Sequence, residues 1–265
     1  MSTDIPLQKS LQILLIGETC TDIFIYGSVS RLCPEAPAPV FNPSKKNENM
    51  GMAGNVSNNL SALGLGHEFV TNSNYAQIKK IRYVDERTNT VFIRVDENDD
   101  KIQQCNIEGI DFMQYDAVIV SDYNKGFLTK MNIQSIIEKS QRVFLDTKKT
   151  LGPWCSDAFI IKINSVEYER TKHTLTKAMG AKLICTKGHN GCVYKETVYP
   201  VPGVLIKDVS GAGDTFLAGL VYSYMHNCDM DKAIKFANAC STIAVQSRGV
   251  TTIALKHITE KKDEN

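Results

Sequence analysis

Short apolar runs rich in β-branched residues alternate with segments of helical periodicity along this 265-residue chain. The apolar runs are Ile13 to Ile16, Ala117 to Val120, Val143 to Leu145, Phe159 to Ile163 and Leu183 to Cys185. The predicted helices are Asn55 to Leu63, Thr129 to Lys139, Ser165 to Met179, Gly213 to Met225 and Asp231 to Gln246, with N-caps at Thr129 and Asp229 and a C-cap at Gly64. Strands that are apolar throughout are buried on both faces, so the alternation predicts an α/β fold with a mostly parallel sheet between two helical layers.

Charge and cysteine usage exclude several classes of protein. Thirty Lys and Arg balance twenty-nine Asp and Glu, and the basic pairs are scattered, so neither a nucleic-acid nor a membrane partner is expected. The eight cysteines include no C-x-x-C pair, which favours reduced, buried thiols over a disulfide framework or a zinc site. A polar start, Met1 to Asp4, and the lack of an apolar stretch of about 20 residues predict a cytoplasmic protein.

Two segments fall outside the alternating pattern. The segment 23–50 contains Pro34, Pro37 and Pro39, which neither a helix interior nor a central strand accommodates. The segment 80–97 reads as two strands around a polar turn at Asp85 to Asn89. We therefore expect a single domain, residues 1–265, with a small β flap built from these two segments.

A glycine turn is the most informative motif in the chain. A predicted strand, Val204 to Ile206, leads into Gly211-Ala212-Gly213-Asp214, and an amphipathic helix follows. Free backbone amides at a helix start can hold a phosphate, and a carboxylate in the first turn can accept a proton from an attacking hydroxyl. A plainer alternative is a turn whose acid only complements the helix dipole. Neither a P-loop motif nor a G-x-G-x-x-G motif occurs in the chain.

These motifs resemble those of a known family. Asp208 to Gly219 resembles the C-terminal signature of the ribokinase-like (PfkB) carbohydrate kinases, and Gly51 to Ser57 followed by Gly64 is similar to their N-terminal signature. The resemblance implies a three-layer αβα sandwich with a β lid, and an ATP- and Mg²⁺-dependent sugar kinase. It also implies Asp214 as catalytic base, an anion hole at Gly211, Ala212 and Gly213, and a homodimer that forms through the flap.

Three further strings are similar to a narrower group within that family. They are Gly17 to Asp22, Val29 to Val40 with its S-R-x-x-P-E-A-P string, and Ser121 to Gly126. They resemble the D-glycero-D-manno-heptose-7-phosphate kinases, the kinase half of the bifunctional heptose enzymes of lipopolysaccharide biosynthesis. This resemblance implies phosphorylation of the sugar 1-hydroxyl.

The family resemblance also assigns roles to residues elsewhere in the chain. The sugar-binding residues that it implies are Asp22, Gly51 and Asn55, joined by Asp122 and Lys125. A sugar that carries a phosphate needs cationic partners, which Arg31, Arg82 and Arg94 on the predicted flap could supply. The nucleotide-binding residues are Asn164, Glu167, Lys187, Gly188, Gly191, Asn238 and Lys148, and Glu167 also helps to place Mg²⁺. Taken singly, Asn55 reads as a helix cap, Glu167 as a solvated helix residue and the basic residues as surface charges.

The chain departs from the family pattern in two regions next to the expected sugar pocket. Between Val70 and Lys80 about ten residues stand where the family has a further helix and strand. Met52 replaces the second glycine of the N-terminal signature, and its side chain is expected to fill space near the sugar. Two alternatives stay open: a kinase for another sugar or a nucleoside, and a catalytically silent sugar- or nucleotide-binding protein.

Overall fold

Two sheets are formed by the strands in residues 11–260, the part of the chain that this computed structural model describes. In chain order the strands are β1 Ile13–Gly17, β2 Thr19–Leu32, β3 Pro39–Met52, β4 Glu68–Val70, β5 Lys79–Asp85, β6 Val91–Glu97, β7 Ala117–Asp122, β8 Val143–Thr147, β9 Ile160–Asn164, β10 Leu183–Thr186, β11 Cys192–Tyr194 and β12 Thr197–Tyr199. The ends of the predicted domain, residues 1–10 and 261–265, lie outside the described residues.

The large sheet has the order β12-β11-β10-β9-β8-β7-β1-β4. Its strands pair in parallel from β4 to β10, and β11 and β12 continue it as antiparallel strands. All five predicted apolar runs lie in this sheet. The predicted α/β fold with a mostly parallel sheet is therefore confirmed. Because parallel strands end at one edge, residues that follow several different strands are brought together there.

Helices cover both faces of the large sheet. They are α1 Ala53–Ala62, α2 Lys130–Lys139, α3 Ser165–Thr171, α4 Lys177–Gly180, α5 Ala212–Asn227, α6 Met230–Ala244 and α7 Leu255–Glu260. Alternate residues of β7 enter different cores: Val118 and Val120 pack with α2, whereas Ala117 and Ile119 pack with α1, α5 and α6. This alternation gives the three-layer arrangement.

The predicted caps are confirmed, but one predicted helix is broken. Thr129 and Asp229 are the N-caps of α2 and α6, and Gly64 has a φ of 83° directly after the end of α1. The predicted helix Ser165 to Met179 instead divides into α3, a 3₁₀ turn at Lys172–Thr174 and α4. Thr174 causes this break, because its hydroxyl donates to the carbonyl oxygens of Leu151 and Thr171.

The predicted strand Val204 to Ile206 is wrong. These residues are irregular, and Leu205 and Ile206 are 78% and 47% exposed. Pro202 and Gly203 stand just before them, and proline has no amide proton for a sheet ladder. The preceding strand β12 lies at the edge of the large sheet, so the chain leaves the sheet before it reaches the glycine turn.

A small second sheet contains both segments that fell outside the alternating pattern. Its order is β3-β2-β5-β6, and β2 and β3 form a long antiparallel hairpin that turns through Pro34 and Pro37. One face carries Phe24, Tyr26 and Val84, which pack with Val250 of the main body. The small sheet is thereby fixed over the edge where the large-sheet strands end.

Met52 packs differently from the sequence expectation. Its backbone has a φ of 59°, a conformation that favours glycine, and this explains why a glycine is usual at this position. Its side chain is 3% exposed and lies in the apolar core with Leu14 and Ile16. The methionine therefore does not fill the space near the predicted sugar ligands.

None of the helices within residues 11–260 has the length and apolar character that a membrane span requires.

The cap of α2 provides a direct test of this architecture. The Thr129 hydroxyl accepts from the Asn132 backbone amide at 3.0 Å, and the Asn132 side chain accepts in return from the Thr129 amide at 2.9 Å. We expect Thr129→Ala to lower the free energy of unfolding by about 1 kcal/mol, because the first turn of α2 loses this acceptor. Urea denaturation measures the change. Thr129→Ser keeps the hydroxyl and should remain near the parent value; an equal loss in both variants would contradict the capping role.

Candidate active site

The glycine turn places Asp214 at the end of the large sheet. Gly211 is the N-cap of α5 with a φ of 78°, and a Cβ at this position would lie 2.5 Å from Asn55 Nδ2. Only glycine combines this left-handed backbone with so close an approach. Asp214 follows in the first turn of α5 and is 6% exposed. The expected order of turn and acid is therefore present, although no strand precedes it, and the Ala212 amide already donates to Val209 O at 3.2 Å.

Two side chains donate hydrogen bonds to the Asp214 carboxylate. Asn55 Nδ2 donates to Oδ2 at 2.9 Å, and the Tyr123 hydroxyl donates to Oδ1. Asn55 is the third residue of α1 and not its cap, which is Met52. Burial raises the pKa of Asp214 to about 6, although the bonds from Tyr123 and Asn55 oppose that rise. A carboxyl group with this pKa can accept a proton near neutral pH.

Two lysines bring positive charge to the same place. Lys162 on β9 is 3% exposed and donates to Asp146 Oδ2 at 2.6 Å. Lys148 Nζ lies 2.7 Å from Glu167 Oε1 and 3.6 Å from Asp146 Oδ1. Burial opposes the charge of Lys148, but Asp146 and Glu167 outweigh it and raise its pKa. Lys148 therefore stays cationic near Asp214, and Lys162 is held there by its ion pair with Asp146.

These groups line a cavity of about 310 Å³. Its lining residues are Tyr123, Lys148, Lys162, Asn164, Ser165, Thr186, Gly188, Gly211, Gly213 and Asp214. An adjoining cavity of about 230 Å³ shares Thr186, Gly188 and Gly213 with it and is walled mainly by apolar residues such as Val204, Phe216 and Val245. A polar, cationic chamber thus continues into an apolar one past the start of α5.

Several of the predicted nucleotide-binding residues lie around the apolar cavity. Gly188, Gly191 and Asn238 line it, and Asn238 Nδ2 donates to the carbonyl oxygen of Tyr199 at 3.0 Å. Lys187 is exposed and closes the turn through its backbone amide, which donates to Gly191 O at 2.7 Å. The structure therefore places the Lys187 backbone, but gives its side chain no fixed position at this wall.

Asn164 and Glu167 form the capping box of α3. The Asn164 side chain accepts from the Glu167 amide at 2.9 Å, and Glu167 Oε2 accepts from the Asn164 amide at 2.8 Å. Glu167 Oε1 accepts from Asn164 Nδ2 and from Lys148. Glu167 is 5% exposed, so it is not the solvated helix residue that its spacing alone suggested.

Ion pairs join the small sheet to the predicted sugar ligands. Arg82 donates to Asp22 Oδ1 at 2.6 Å, and a Cβ on Gly51 would lie 2.2 Å from Asp22 Oδ2. Lys80 lies 3.2 Å from Asp99 Oδ1, and Lys125 lies 2.6 Å from Asp99 Oδ2. Through Asp99 these pairs link the small sheet to the loop after β7.

Three other predicted ligands of the sugar or its phosphate lie outside this group of ion pairs or have partners of their own. Arg94 pairs with Asp96 on its own strand at 2.7 Å. Arg31 lies near the tip of the hairpin, nine residues beyond Asp22 on β2, or about 30 Å along the strand. Asp122 is 1% exposed, and its carboxylate accepts from Thr147, from Lys149 and from the Asn124 amide. The geometry gives Asp122 a part in fixing the loop after β7.

Comparison with known proteins assigns the family. The model of the pfkB family carbohydrate kinases matches residues 52–257. The chain belongs to the pfkB carbohydrate kinase family. The resemblance stated from the two signatures is thus confirmed.

Individual relatives agree with this assignment. The chain is 30% identical over 300 residues to Bifunctional protein HldE of Nitratiruptor sp., with 94% of this chain and 64% of the relative aligned. It is 28% identical to Bifunctional protein HldE of Nitrobacter winogradskyi, with 93% of this chain and 62% of the relative aligned. The chain therefore spans a little over three fifths of the length of these relatives.

Solved structures support the fold alone. The ribokinase of Thermotoga maritima superposes with a TM-score of 0.72 at 18% identity over 96% of this chain and all of that chain. The nucleoside kinase of Methanocaldococcus jannaschii gives a TM-score of 0.71 at 16% identity over 96% and 98%. The predicted ribokinase-like fold is therefore confirmed.

Sequence reasoning missed Lys162 and gave Tyr123 no role. A lysine inside the apolar run Phe159 to Ile163 was a usable signal, because a charge in a buried strand needs a partner. Tyr123 had no such signal, since its position opposite Asp214 depends on how β7 and α5 meet.

The raised pKa of Asp214 links stability to pH. Its folded pKa of about 6 exceeds the usual value of 3.8, so ionisation of Asp214 costs stability progressively as pH rises toward about 6. We expect Asp214→Asn to be more stable than the parent at about pH 8, by at most about 3 kcal/mol, and to lose this gain below about pH 4. Urea denaturation across this pH range measures the difference.

The exposed Asp231 offers a matched control. Its pKa is lowered by the hydrogen bond from Lys235, so Asp231→Asn should show no gain at high pH. A pH-independent difference for Asp214→Asn would contradict the buried, raised carboxyl.

Proposed function

We propose that this chain is a sugar kinase that transfers the γ-phosphoryl group of ATP to a sugar hydroxyl, and that its acceptor is the 1-hydroxyl of D-glycero-D-manno-heptose 7-phosphate. The observation that carries the proposal is the placement of Asp214. A buried carboxylate with a pKa of about 6 stands in the first turn of α5, beside the glycine turn and two lysines, at the wall of a cavity.

Each group has a role in the transfer. Asp214 accepts the proton of the sugar hydroxyl as its oxygen attacks the γ-phosphorus and the bond to the β-phosphate oxygen breaks. The backbone amides of Gly211 and Gly213 donate to the phosphoryl oxygens, on which negative charge develops. Ala212, the third residue of the predicted anion hole, already donates its amide to Val209 O at 3.2 Å. Lys162 lies against this turn, since a Cβ on Gly213 would be 3.0 Å from its Nζ. ADP leaves with the electron pair of the broken bond.

ATP fits the two joined cavities. The apolar cavity that includes Asn238 and Gly188 suits the base, and the polar cavity with Lys148 and Gly213 suits the triphosphate. Within residues 11–260 no group of three or more His, Cys, Asp or Glu side chains is arranged to hold a metal ion. Both oxygens of Glu167 already accept hydrogen bonds, so the residues present fit Mg²⁺ that binds mainly to phosphate and water, with Glu167 acting through water. When bound, Mg²⁺ would neutralise charge on the phosphates.

The charged side chains on the small sheet and on the loop after β7 suit a charged sugar. Asp22 and Asn55 present acceptor and donor groups for sugar hydroxyls, as the family resemblance implies. Lys80, Lys125 and Arg82 lie there, and each is paired with one or more of Asp22, Asp96 and Asp99. A substrate that carries a phosphate can take the place of one of these carboxylates as the partner of a cation. The heptose motifs and the HldE relatives favour a heptose phosphate over ribose.

The small sheet is proposed to act as a lid and as the surface of a homodimer. Its segments 23–50 and 80–97 would lie over the proposed sugar site and exclude water from it. The edge strand β6 exposes Val91, Phe92, Ile93 and Val95, which are 36 to 57% exposed. An exposed apolar edge strand needs covering, and a second copy of this chain supplies an identical strand.

A substrate panel tests the reaction. We expect Mg²⁺-dependent ADP release with D-glycero-D-manno-heptose 7-phosphate, and much weaker release with ribose, fructose 6-phosphate and nucleosides.

We expect Asp214→Asn to lower kcat by at least ~10²-fold without loss of fold, because the attacking hydroxyl then lacks its base. Coupled ADP assays with and without EDTA measure both results.

Each alternative has its own outcome in the same panel. Activity on ribose or a nucleoside with none on the heptose phosphate would assign the chain to another substrate. Calorimetric binding of ATP with no ADP formed from any acceptor would favour a silent binding protein. Near-normal turnover of Asp214→Asn would remove Asp214 from its role.

The proposed homodimer has a separate test. We expect light scattering after gel filtration to give twice the chain mass, and Ile93→Lys to give a monomer, because a charge cannot be buried in the apolar contact. Val198→Lys places the same charge on β12, where the parent residue is 61% exposed, and should stay dimeric. A monomeric parent protein would overturn the dimer.

A further inference from the structure

We propose that Tyr123 is the positioning residue for Asp214: its hydroxyl fixes the orientation of the carboxylate and sets the lowest pH at which Asp214 acts as a base. This inference rests on the proposed role of Asp214. Neither the family signatures nor the sequence reasoning gave Tyr123 a task, although it lines the same cavity as Asp214.

The contact between the two side chains is direct. The Tyr123 hydroxyl donates to Asp214 Oδ1, while Asn55 Nδ2 donates to Oδ2 at 2.9 Å. A carboxylate held at both oxygens cannot rotate freely, and each oxygen keeps a further lone pair for an acceptor hydroxyl. Burial, and then the charge of Asp214, raise the pKa of Tyr123 well above its usual value, so the phenol remains a donor throughout the working pH range.

Hydrogen bonds from its backbone amides to two buried carboxylates fix the loop that carries Tyr123. The Asn124 amide donates to Asp122 Oδ1 at 3.2 Å, and Lys149 Nζ holds the same oxygen at 2.6 Å. The Lys125 amide donates to Glu18 Oε1 at 2.8 Å, and Glu18 has no exposed surface. Buried carboxylates from β7 and from the end of β1 thus anchor the loop on both sides of the tyrosine. These anchors turn the backbone so that the Tyr123 ring meets α5.

The charged surroundings of Asp214 come from several elements. Lys162 on β9 favours the carboxylate form, whereas Asp146 on β8 opposes it, and Lys148 lies over the Tyr123 ring, 5.3 Å from the ring centre. Asn55 from α1 and Tyr123 donate hydrogen bonds that lower the pKa of Asp214 against the effect of burial. Removal of the Tyr123 hydroxyl therefore raises that pKa further, and the base is protonated at a higher pH.

Tyr123→Phe tests the inference through the pH profile of kcat/KM. We expect the acid limb to move up by about one pH unit, and activity on the alkaline plateau to fall because Oδ1 of Asp214 is no longer held in place. Tyr115→Phe is the matched control: Tyr115 is 4% exposed, its hydroxyl donates to Glu68 Oε2 at 2.5 Å, and it lies just before β7, at the opposite end of that strand from Tyr123. In Tyr115→Phe the acid limb of the kcat/KM profile should stay at the pH of the parent protein. An unshifted limb in Tyr123→Phe, or an equal loss at every pH, would overturn the proposal.

A second variant keeps the test valid if Tyr123→Phe folds poorly. Replacement of Tyr123 by 3-fluorotyrosine keeps the ring and supplies a more acidic hydroxyl, which donates more strongly. The acid limb should then move in the opposite direction, to lower pH. A limb that stays in place in this variant would also contradict the proposal.

A stability measurement separates this inference from the proposed function. The pH at which the gain of Asp214→Asn reaches its plateau should be about one unit higher in the Tyr123→Phe background, whether or not any substrate turns over. If Asp214→Asn retains turnover, the proposed base is wrong, even when this shift is seen. If Asp214→Asn is inactive and neither the plateau nor the acid limb shifts, the inference about Tyr123 alone fails.

Discussion

The structure depends on burying one carboxylate at the start of α5. Burial raises the pKa of Asp214 to about 6, and the hydrogen bonds from Tyr123 and Asn55 oppose that rise. These two donors come from α1 and from the loop after β7, so three parts of the chain must meet within hydrogen-bond distance. A fold that satisfies this condition also opens a cavity beside free helix amides, which is the arrangement that phosphoryl transfer requires.

A second constraint is the pairing of buried charges around that cavity. Lys162 with Asp146, and Lys148 with Glu167, hold cations in place at little exposure. Such pairs contribute little net stability, because desolvation offsets most of their attraction. Their value is positional: the lysines are already ordered before a phosphate arrives. The capping box of Asn164 and Glu167 adds a third use for the same carboxylate, since it also begins α3.

Ion pairs also hold charged side chains in place on the small sheet, next to the proposed sugar ligands. Asp22 and Arg82 pair across β2 and β5, while Lys125 reaches Asp99 from the loop after β7. These contacts join the small sheet to the loop that also carries Tyr123. The proposed contacts with the heptose phosphate would be made in this region.

The sequence by itself determined the parallel sheet, the caps at Thr129 and Asp229, and the glycine turn with its acid, because periodicity, capping and positive φ are local properties. It placed Asp22, Asn55 and Asp214 in one site only through family resemblance. The tertiary structure alone decided that Val204 to Ile206 form no strand, that Met52 enters the core, and that Lys162 and Tyr123 face the carboxylate. Those outcomes depend on which elements become neighbours, and neighbours distant in sequence leave no local pattern in the chain.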